Sequence, residues 1–358
     1  MKSIRVFDKD INLLGEIDNY KSLNITRRFY KNGEFELTIN TSKLHTDKLV
    51  KNNLILFGKD FNKVGIILHR GFNYSQGQEN TDLLSIKGYL LQGLMSRRLI
   101  VPDINNSYMS FKGTQEEIIK FFVDKNCVNP VDSKRKINRL VIAENKNRGA
   151  NDSWRSSYEL LGSKLNEIGE YSGLGWNIEL DIENKQFIFD ILESKNKTVN
   201  QRDLPPITFR SDFNNILTRE YTESIINSKN VVYSGTKEDG TKMVLSVGDV
   251  TDFDRIETFV DTNSDEVSEI IKSAQVALKD LEELKTFELD VNYKNTFIYE
   301  KDYYLGDIVT VQDKKLNVTM DTKIVEVKEN YTPNSMAIQL VFGKGIPNFL
   351  NRLMKAVK

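Results

Sequence analysis

The segment that comes nearest to a chemical motif is Gly235-Thr236-Lys237-Glu238-Asp239-Gly240-Thr241-Lys242. A phosphate loop needs Lys followed by Ser or Thr, then a helix whose N-terminus faces the phosphates. Here Thr241 precedes Lys242, and Met243-Val244-Leu245-Ser246-Val247 alternates as a strand does, so the segment reads as a solvated hairpin turn. Asp261-Thr262-Asn263-Ser264-Asp265 begins like a calcium loop, but Glu266 stands where the sharp turn needs Gly and Lys272 where a bidentate Glu is required. Helix capping accounts for those residues. Asp252-Phe253-Asp254 sets two acids around a Phe, which suits a turn better than a metal. His45, in a polar loop, and His69, in a strand pattern, are the only histidines, which argues against a histidine metal centre. No Gly-x-Ser-x-Gly occurs, and Cys127 closes an amphipathic helix without a motif around it, as a buried structural thiol does. Glycoside hydrolysis needs a carboxylate pair, and 51 acidic residues leave that choice open, but no segment has the aromatic-and-acid composition of a sugar cleft. The expectation is a protein with no catalytic, cofactor-binding or metal-binding residues, and not an enzyme.

Composition bounds the rest. With 358 residues the chain has room for two or three domains, each with its own core. Its 50 basic and 51 acidic residues balance, which argues against a dedicated DNA-binding surface but not against a protein that DNA merely passes. The single cysteine excludes an internal disulfide framework and suits a reducing compartment. No N-terminal apolar signal is present, and no apolar run approaches the roughly 20 residues of a membrane helix. These features predict a soluble, globular protein made in the cytosol, without a membrane anchor.

The elements that would position these residues begin as β. Ile4–Phe7 alternates, and Phe35, Leu37 and Ile39 alternate after the turn Lys31-Asn32-Gly33, in which Gly33 is expected at positive φ. From about Pro102 the pattern changes. Thr114 with Glu117 forms a capping box before Ile118, Ile119, Phe122 and Val123. Asp132–Asp152 is basic and polar, with a short strand at Leu140–Ala143. Trp154, Tyr158, Leu161, Leu165 and Ile168 recur at steps of four and three, which predicts one helix face, stopped by Gly173. A hairpin follows, with Trp176, Ile178, Leu180 and Ile182 answered by Phe187, Phe189 and Ile191 around a turn near Asn184. Ser194–Pro206 reads as a linker. Val231–Ser234 and Met243–Val247 form a further hairpin. A helix capped by Ser264, with Asp265 and Glu266 in its first turn, carries the stripe Val267, Ile271, Ala274, Leu278 and Leu281. Core packing is the ordinary use of such a stripe, and a helix contact between copies the rarer one. The C-terminal stretch pairs Phe349, Leu350, Leu353, Met354 and Val357 with basic residues, and is expected to dock on its own domain or a neighbour, a membrane surface being the rarer alternative.

One β-pattern occurs at both ends of the chain. Strands at Asn53–Phe57, Val64–Arg70 and Leu83–Lys87 lead to Gly88 and the apolar stretch Tyr89–Ile100. Strands at Asp307–Val311, Thr322–Lys328 and Met336–Phe342 lead to Gly343 and the apolar stretch Ile346–Val357. Upstream of each lies a similar phrase, Ile25-Thr26-Arg27-Arg28-Phe29 and Leu217-Thr218-Arg219-Glu220-Tyr221. Two equivalent barrels in one subunit would allow three copies to make a six-fold-like ring.

The run Tyr303-Tyr304-Leu305-Gly306-Asp307-Ile308-Val309-Thr310-Val311, closed by Met336-Ala337-Ile338-Gln339-Leu340-Val341-Phe342-Gly343, resembles the last barrel of phage tail hub proteins. So do Gly33-Glu34-Phe35-Glu36-Leu37, Asn230-Val231-Val232-Tyr233-Ser234-Gly235 and Arg255-Ile256-Glu257-Thr258-Phe259-Val260-Asp261. Together, in this order and over nearly the whole chain, they resemble the siphophage baseplate family related to the central hub of contractile tails and tail-like bacteriocins. The resemblance implies a β-rich α+β protein with two tail-tube-like antiparallel β-barrel domains, at 1–101 and 205–345. It places an inserted α/β domain at 102–204, a helix at about 264–285 within the second barrel domain, and a C-terminal helix at 346–358. It further implies a homotrimer of pseudo-six-fold symmetry at the tail tip or baseplate, assembled in the bacterial host cytoplasm. Expected partners are the tail tube or a tube adaptor, a separate spike or tip protein, baseplate wedge proteins and the tape-measure protein, without specific nucleic-acid binding. Related one-piece proteins continue into a spike after the last barrel, whereas Gly343 is followed here only by 344–358, so a spike is expected from another chain. Two other classes stand beside this one. A carbohydrate- or receptor-binding module of a tail tip would expose aromatics in a groove, and a cell-wall hydrolase would need a clefted acid pair.

Overall fold

The computed structural model describes residues 2–73, 82–238, 240–262, 266–294 and 296–343. The chain divides into two compact units, one of Met1–Thr218 with Leu289–Val341, the other of Arg219–Glu288 with Phe342–Lys358.

Alternating apolar residues at the start of the chain produce strands with one buried face. These are β1 (Ile4–Phe7), β2 (Leu13–Ile17), β3 (Ser22–Arg28), β4 (Glu34–Asn40), β5 (Leu54–Phe57), β6 (Val64–Asn73) and β7 (Leu83–Leu90). They pair antiparallel in the order β3-β4-β7-β6-β5-β1-β2. Leu23, Ile25, Phe35, Leu37, Ile39, Leu84 and Ile86 meet in one core. Gly33 is not at positive φ, contrary to the sequence expectation. A Cβ there would lie 2.6 Å from both the Thr26 carbonyl oxygen and the Leu90 side chain, so the position needs glycine for space.

The middle of the chain adds β8 (Met109–Thr114), α1 (Gln115–Val123), β9 (Leu140–Ile142), β10 (Asn151–Ser156), α2 (Leu161–Ser172), β11 (Gly175–Asp181) and β12 (Gln186–Leu192). The capping box of α1 forms as read, with the Glu117 N–H donating to Thr114 Oγ1 at 3.3 Å and the Thr114 N–H donating to Glu117 Oε2 at 2.7 Å. The predicted helix over Trp154–Ile168 is shorter than its spacing suggests. Trp154 sits in β10 opposite Phe111 of β8, Tyr158 is exposed at φ 53°, and the helix runs only from Leu161. A strand residue two turns away happened to fall in step with the apolar face of Leu161, Leu165 and Ile168. Gly173 ends α2 at φ 79°, its N–H donating to the Gly169 carbonyl at 2.8 Å. β11 and β12 form the expected hairpin with β9 parallel to β12, while Ile182 belongs to the turn rather than to the strand.

The remaining elements are β13 (Thr208–Arg210), β14 (Ile216–Ser224), β15 (Val231–Thr236), β16 (Gly240–Ser246), β17 (Glu257–Asp261), α3 (Val267–Asp280), β18 (Leu284–Val291), β19 (Ile308–Asp313), β20 (Val318–Tyr331) and β21 (Met336–Gly343). A second ladder runs β14-β18-β21-β20-β19-β13. Its order β14-β18-β21-β20-β19 repeats β3-β4-β7-β6-β5 of the first ladder strand for strand. The upstream phrases of the sequence repeat fall on β3 and β14. Val309 and Val311 are buried on one face of β19, as strand alternation requires. β20 is long enough to hold β19 along its first half and β3 along its second, Glu326 opposite Arg28 through Tyr331 opposite Leu23. This pairing makes the two ladders one 13-stranded sheet. Among the described residues no strand pairing closes either ladder on itself.

In the second unit β15 lies between antiparallel β16 and parallel β17. α3 packs on this sheet, its Ile270 carbonyl accepting from Ser234 Oγ at 3.1 Å. Ile270 and Ala274 are its buried residues and Val267 is 63% exposed, so the inward face is rotated from the predicted stripe. Glu266 is the N-cap residue rather than a first-turn acid. Ser264 and Asp265, and the C-terminal helix expected at 346–358, lie outside the described residues.

Candidate functional site

The principal polar constellation is built where β3 and β20 meet, within the first unit. Lys63, in the turn before β6, is fully buried, with Nζ 2.6 Å from Glu329 Oε1 on β20 and 2.5 Å from Glu300 Oε1. Lys2 Nζ lies 3.4 Å from the other Glu329 oxygen and donates to Tyr331 Oη at 3.0 Å. Arg27 of β3 reaches Glu300 at 3.2 Å and Asp60 at 3.7 Å. Its neighbour Arg28 binds Glu326 at 2.5 Å and Glu34 at 2.7 Å. Burial alone would raise the Glu329 pKa, but the charges of Lys63 and Lys2 outweigh it and hold the carboxyl below its ordinary value. Burial lowers the Lys2 pKa, with the Glu329 charge opposing. Lys2, Lys63, Arg27 and Arg28 face five carboxylates, each of them within ion-pair distance of a cation. What it can do is lock the register of one ladder against the other, since Glu326 and Glu329 of β20 pair with Arg28, Lys63 and Lys2 of the N-terminal segment.

A second network pins α1 to the loop before β10. Glu116 receives Arg148 through Nη2 at 2.7 Å, Nε at 3.0 Å and the backbone N–H at 2.9 Å, and Lys120 at 2.7 Å. Arg148 and Lys120 also reach Asp190 on β12, at 2.6 and 3.2 Å. Burial opposes ionisation of Glu116, but the hydrogen bonds from Arg148 and Lys120 prevail and hold its carboxyl at about 2. Spacing within α1 puts Glu116 and Lys120 on one face, but nothing local in the sequence marks Arg148 as their partner.

The structure keeps the residues singled out in the sequence apart. Gly235 and Thr236 end β15 opposite Thr241 and Gly240 of β16, and the Asp252–Asp254 stretch is one exposed turn with Phe253 94% exposed. Asp261 ends β17, while Asn263–Asp265 lie outside the described residues. His45 stacks under Gly15, where a Cβ would come within 2.5 Å of its ring, and His69 is exposed on β6. Cys127 is fully buried, and burial pushes its thiol up to about 12. Both tryptophans, Trp154 and Trp176, are buried. A groove of about 500 Å³ on the first ladder is lined by Asn24, Thr26, Glu34, Glu36, His69 and Lys87, with Tyr89 as its exposed aromatic. Glu36 and Lys87 pair across it at 2.8 Å, so its charges are already matched.

This doubled β-ladder with an inserted α/β piece is the fold of phage tail proteins. It is similar to a tail protein from Neisseria meningitidis MC58 at 16% identity and TM-score 0.58, covering 96% of each chain. The prophage MuSo2 43 kDa tail protein from Shewanella oneidensis matches at 11% identity and TM-score 0.60, over 96% of this chain and 98% of that one. The prophage tail protein gp18 from Listeria monocytogenes EGD-e matches at 12% and 0.56, over 100% and 99%. At such identities the likeness is one of fold. No curated protein matches the chain in a sequence comparison. The chain belongs to the Siphovirus ReqiPepy6 Gp37-like protein family, whose model matches residues 3–344.

Proposed function

We propose that this protein is the structural hub of a phage tail or baseplate, three copies of which form a ring of pseudo-six-fold symmetry between the tail tube and a separate spike or tip protein. The observation that carries this reading is the strand order β3-β4-β7-β6-β5, met again as β14-β18-β21-β20-β19 in the same chain. A subunit with two equivalent ladders offers six near-equivalent contacts from three copies, which resolves the mismatch between a six-fold tube and a three-fold tip. In this reading 1–101 and 205–345 are the two tube-like barrel domains and 102–204 is an insertion outside the ring. The tube or its adaptor, baseplate wedge proteins and the tape-measure protein are the further neighbours, in a particle assembled in the host cytoplasm. Balanced charge suits a channel wall that must not retain passing DNA, because clustered Lys and Arg would hold phosphates.

The protein acts without catalysis in this reading. Pairing of the buried carboxylates Glu116 and Glu329 with Arg and Lys supports it, as does family membership. Pure protein incubated with peptidoglycan or common polysaccharides should release nothing, and turnover abolished by changing one acid would overturn the claim. Symmetry-resolved electron microscopy of the tail end is the deciding measurement for the hub. Three copies around the tube axis are expected, and six copies, or a peripheral position, would sink the reading.

A further inference from the structure

Three turns meet at one end of the β16-β15-β17 sheet, where Val231 lies opposite Ser246 on one side and Glu257 on the other. Asn230, just before β15, ties them together. Its N–H donates to the Ile256 carbonyl at 3.0 Å and its Nδ2 to the Asp254 carbonyl at 2.6 Å, while its own carbonyl accepts the Val247 N–H at 2.9 Å. The tips of these turns are apolar and open to solvent. Ile225 is 59% exposed, Ile226 58%, Val247 59% and Phe253 94%. Large apolar side chains gathered at one end of a compact unit mark a surface that another element covers.

The same end is acidic. Asp249, Asp252 and Asp254 lie in the loop between β16 and β17, whose one cation, Arg255, is taken up by Glu257. Lys229 is the cation of the facing turn, and Lys285 is already shared by Glu223 and Glu283, at 3.3 and 2.8 Å. Across residues 219–288 the chain carries 16 acidic and 8 basic residues. Residues 344–358 are the reverse, with Lys344, Arg352, Lys355 and Lys358 and no acid. At helical spacing Phe349, Leu350, Leu353, Met354 and Val357 fall on one side of that segment, and its last three cations on the other.

We infer that residues 348–358 dock as a cationic amphipathic helix on this acidic, apolar end of the same chain's second unit. The occupant is the chain's own segment because its tether starts beside the patch. The Phe342 carbonyl accepts from Thr286 Oγ1 at 2.5 Å, and the Leu281 carbonyl, five residues before Thr286, accepts the Lys229 N–H at 2.7 Å. Phe349 follows Phe342 by seven residues, a reach of up to about 24 Å, which is enough to return to the Ile225 and Ile226 turn. A short tether also gives the segment a local concentration that a free partner has to compete with. Docking covers the apolar tips and sets the cations against the acid surplus. It rests on neither the ring nor the hub.

Hydrogen exchange and zero-length cross-linking of the full-length protein test this. At low ionic strength the amides of 225–230 and 247–256 should exchange about tenfold more slowly in the parent than in the triple variant Arg352→Glu, Lys355→Glu, Lys358→Glu. That protection should shrink as salt is raised. Adding Asp249→Lys, Asp252→Lys and Asp254→Lys to the triple variant should restore it, which separates charge pairing from general loosening of the unit. A water-soluble carbodiimide should join Lys355 or Lys358 to one of these three aspartates, the reagent taking up the water lost as the amide forms. In a mixture of isotopically light and heavy protein, the linked peptides should carry one isotope only. Mixed-isotope links would give the patch to a second copy and overturn the inference. Equal exchange in the parent and the triple variant, without a link, would overturn it as well, and so would protection that appears only when anionic lipid vesicles are added.

Discussion

Lys63 shows how a single side chain ties distant segments together. It precedes β6 in the first ladder, yet its partners Glu300 and Glu329 belong to the last quarter of the chain. Lys63→Met should destabilise the protein by about 3–5 kcal/mol in urea unfolding, because Glu329 is left buried with only the longer Lys2 ion pair and the Tyr331 hydroxyl. The double change Lys63→Met with Glu329→Leu should recover much of that loss, and a double variant as unstable as the single one would mean the charges do not act as a pair. Glu116 gives a pH-dependent counterpart. Its carboxyl titrates at about 2 in the folded protein and near 4.3 when unfolded. The folded pKa is the lower one, so the stabilisation is complete above about pH 4.3 and is lost as pH falls toward 2. Thermal melts of the parent protein should fall across that window, and Glu116→Gln should melt lower at neutral pH with a flatter acid limb.

At the scale of elements, the two closing glycines of the sequence repeat turn out to be required for different reasons. Gly343 sits at φ 73°, where glycine is favoured. Gly88 has ordinary backbone, but a Cβ on it would lie 1.8 Å from the Ile66 carbonyl oxygen and 2.8 Å from the Phe35 ring. Gly88→Ala should therefore force β6 and β7 apart, costing several kcal/mol, whereas Gly343→Ala should cost about 1 kcal/mol. Comparable denaturation midpoints for the two would refute this division. The strands themselves were legible, because alternation with a buried face, as in Phe35, Leu37 and Ile39, is a local signal. The capping box at Thr114 and the stop at Gly173 were legible for the same reason. What escaped was non-local. Trp154 matched a helical step while its strand partner Phe111 lay far upstream, and Arg148 looked like part of an exposed loop until Glu116 was folded against it. The β3–β20 pair could not be seen from spacing at all, since Arg28 and Glu326 become neighbours only when the two ladders meet.

On the scale of the first unit as a whole, that meeting decides what folds with what. The first ladder leaves β3 without its outer partner unless Glu326–Tyr331 is present, and without Glu300 and Glu329 it leaves Lys63 and Arg27 only Asp60, at 4.0 and 3.7 Å, as a carboxylate partner. Apart from Tyr331, the buried residues of this core, Leu37 and Ile86 among them, lie in the N-terminal segment, so a fragment of residues 2–204 retains the means to collapse. It keeps only the more distant Asp60 for the Lys63 and Arg27 charges, and a buried cation without a close counter-ion costs several kcal/mol, a large part of the stability of a typical domain. Its bare strand edge would also invite pairing between fragments. The expected behaviour of the fragment is a poorly packed, self-associating state with β content by circular dichroism but no cooperative melt. Addition of Lys63→Met and Arg27→Leu to the same fragment should improve its solubility, because the unmatched charges are then gone. A fragment that melts cooperatively as a monomer without those changes would show that the ladders are independent domains, and that β3–β20 is a contact between finished parts rather than a condition of folding.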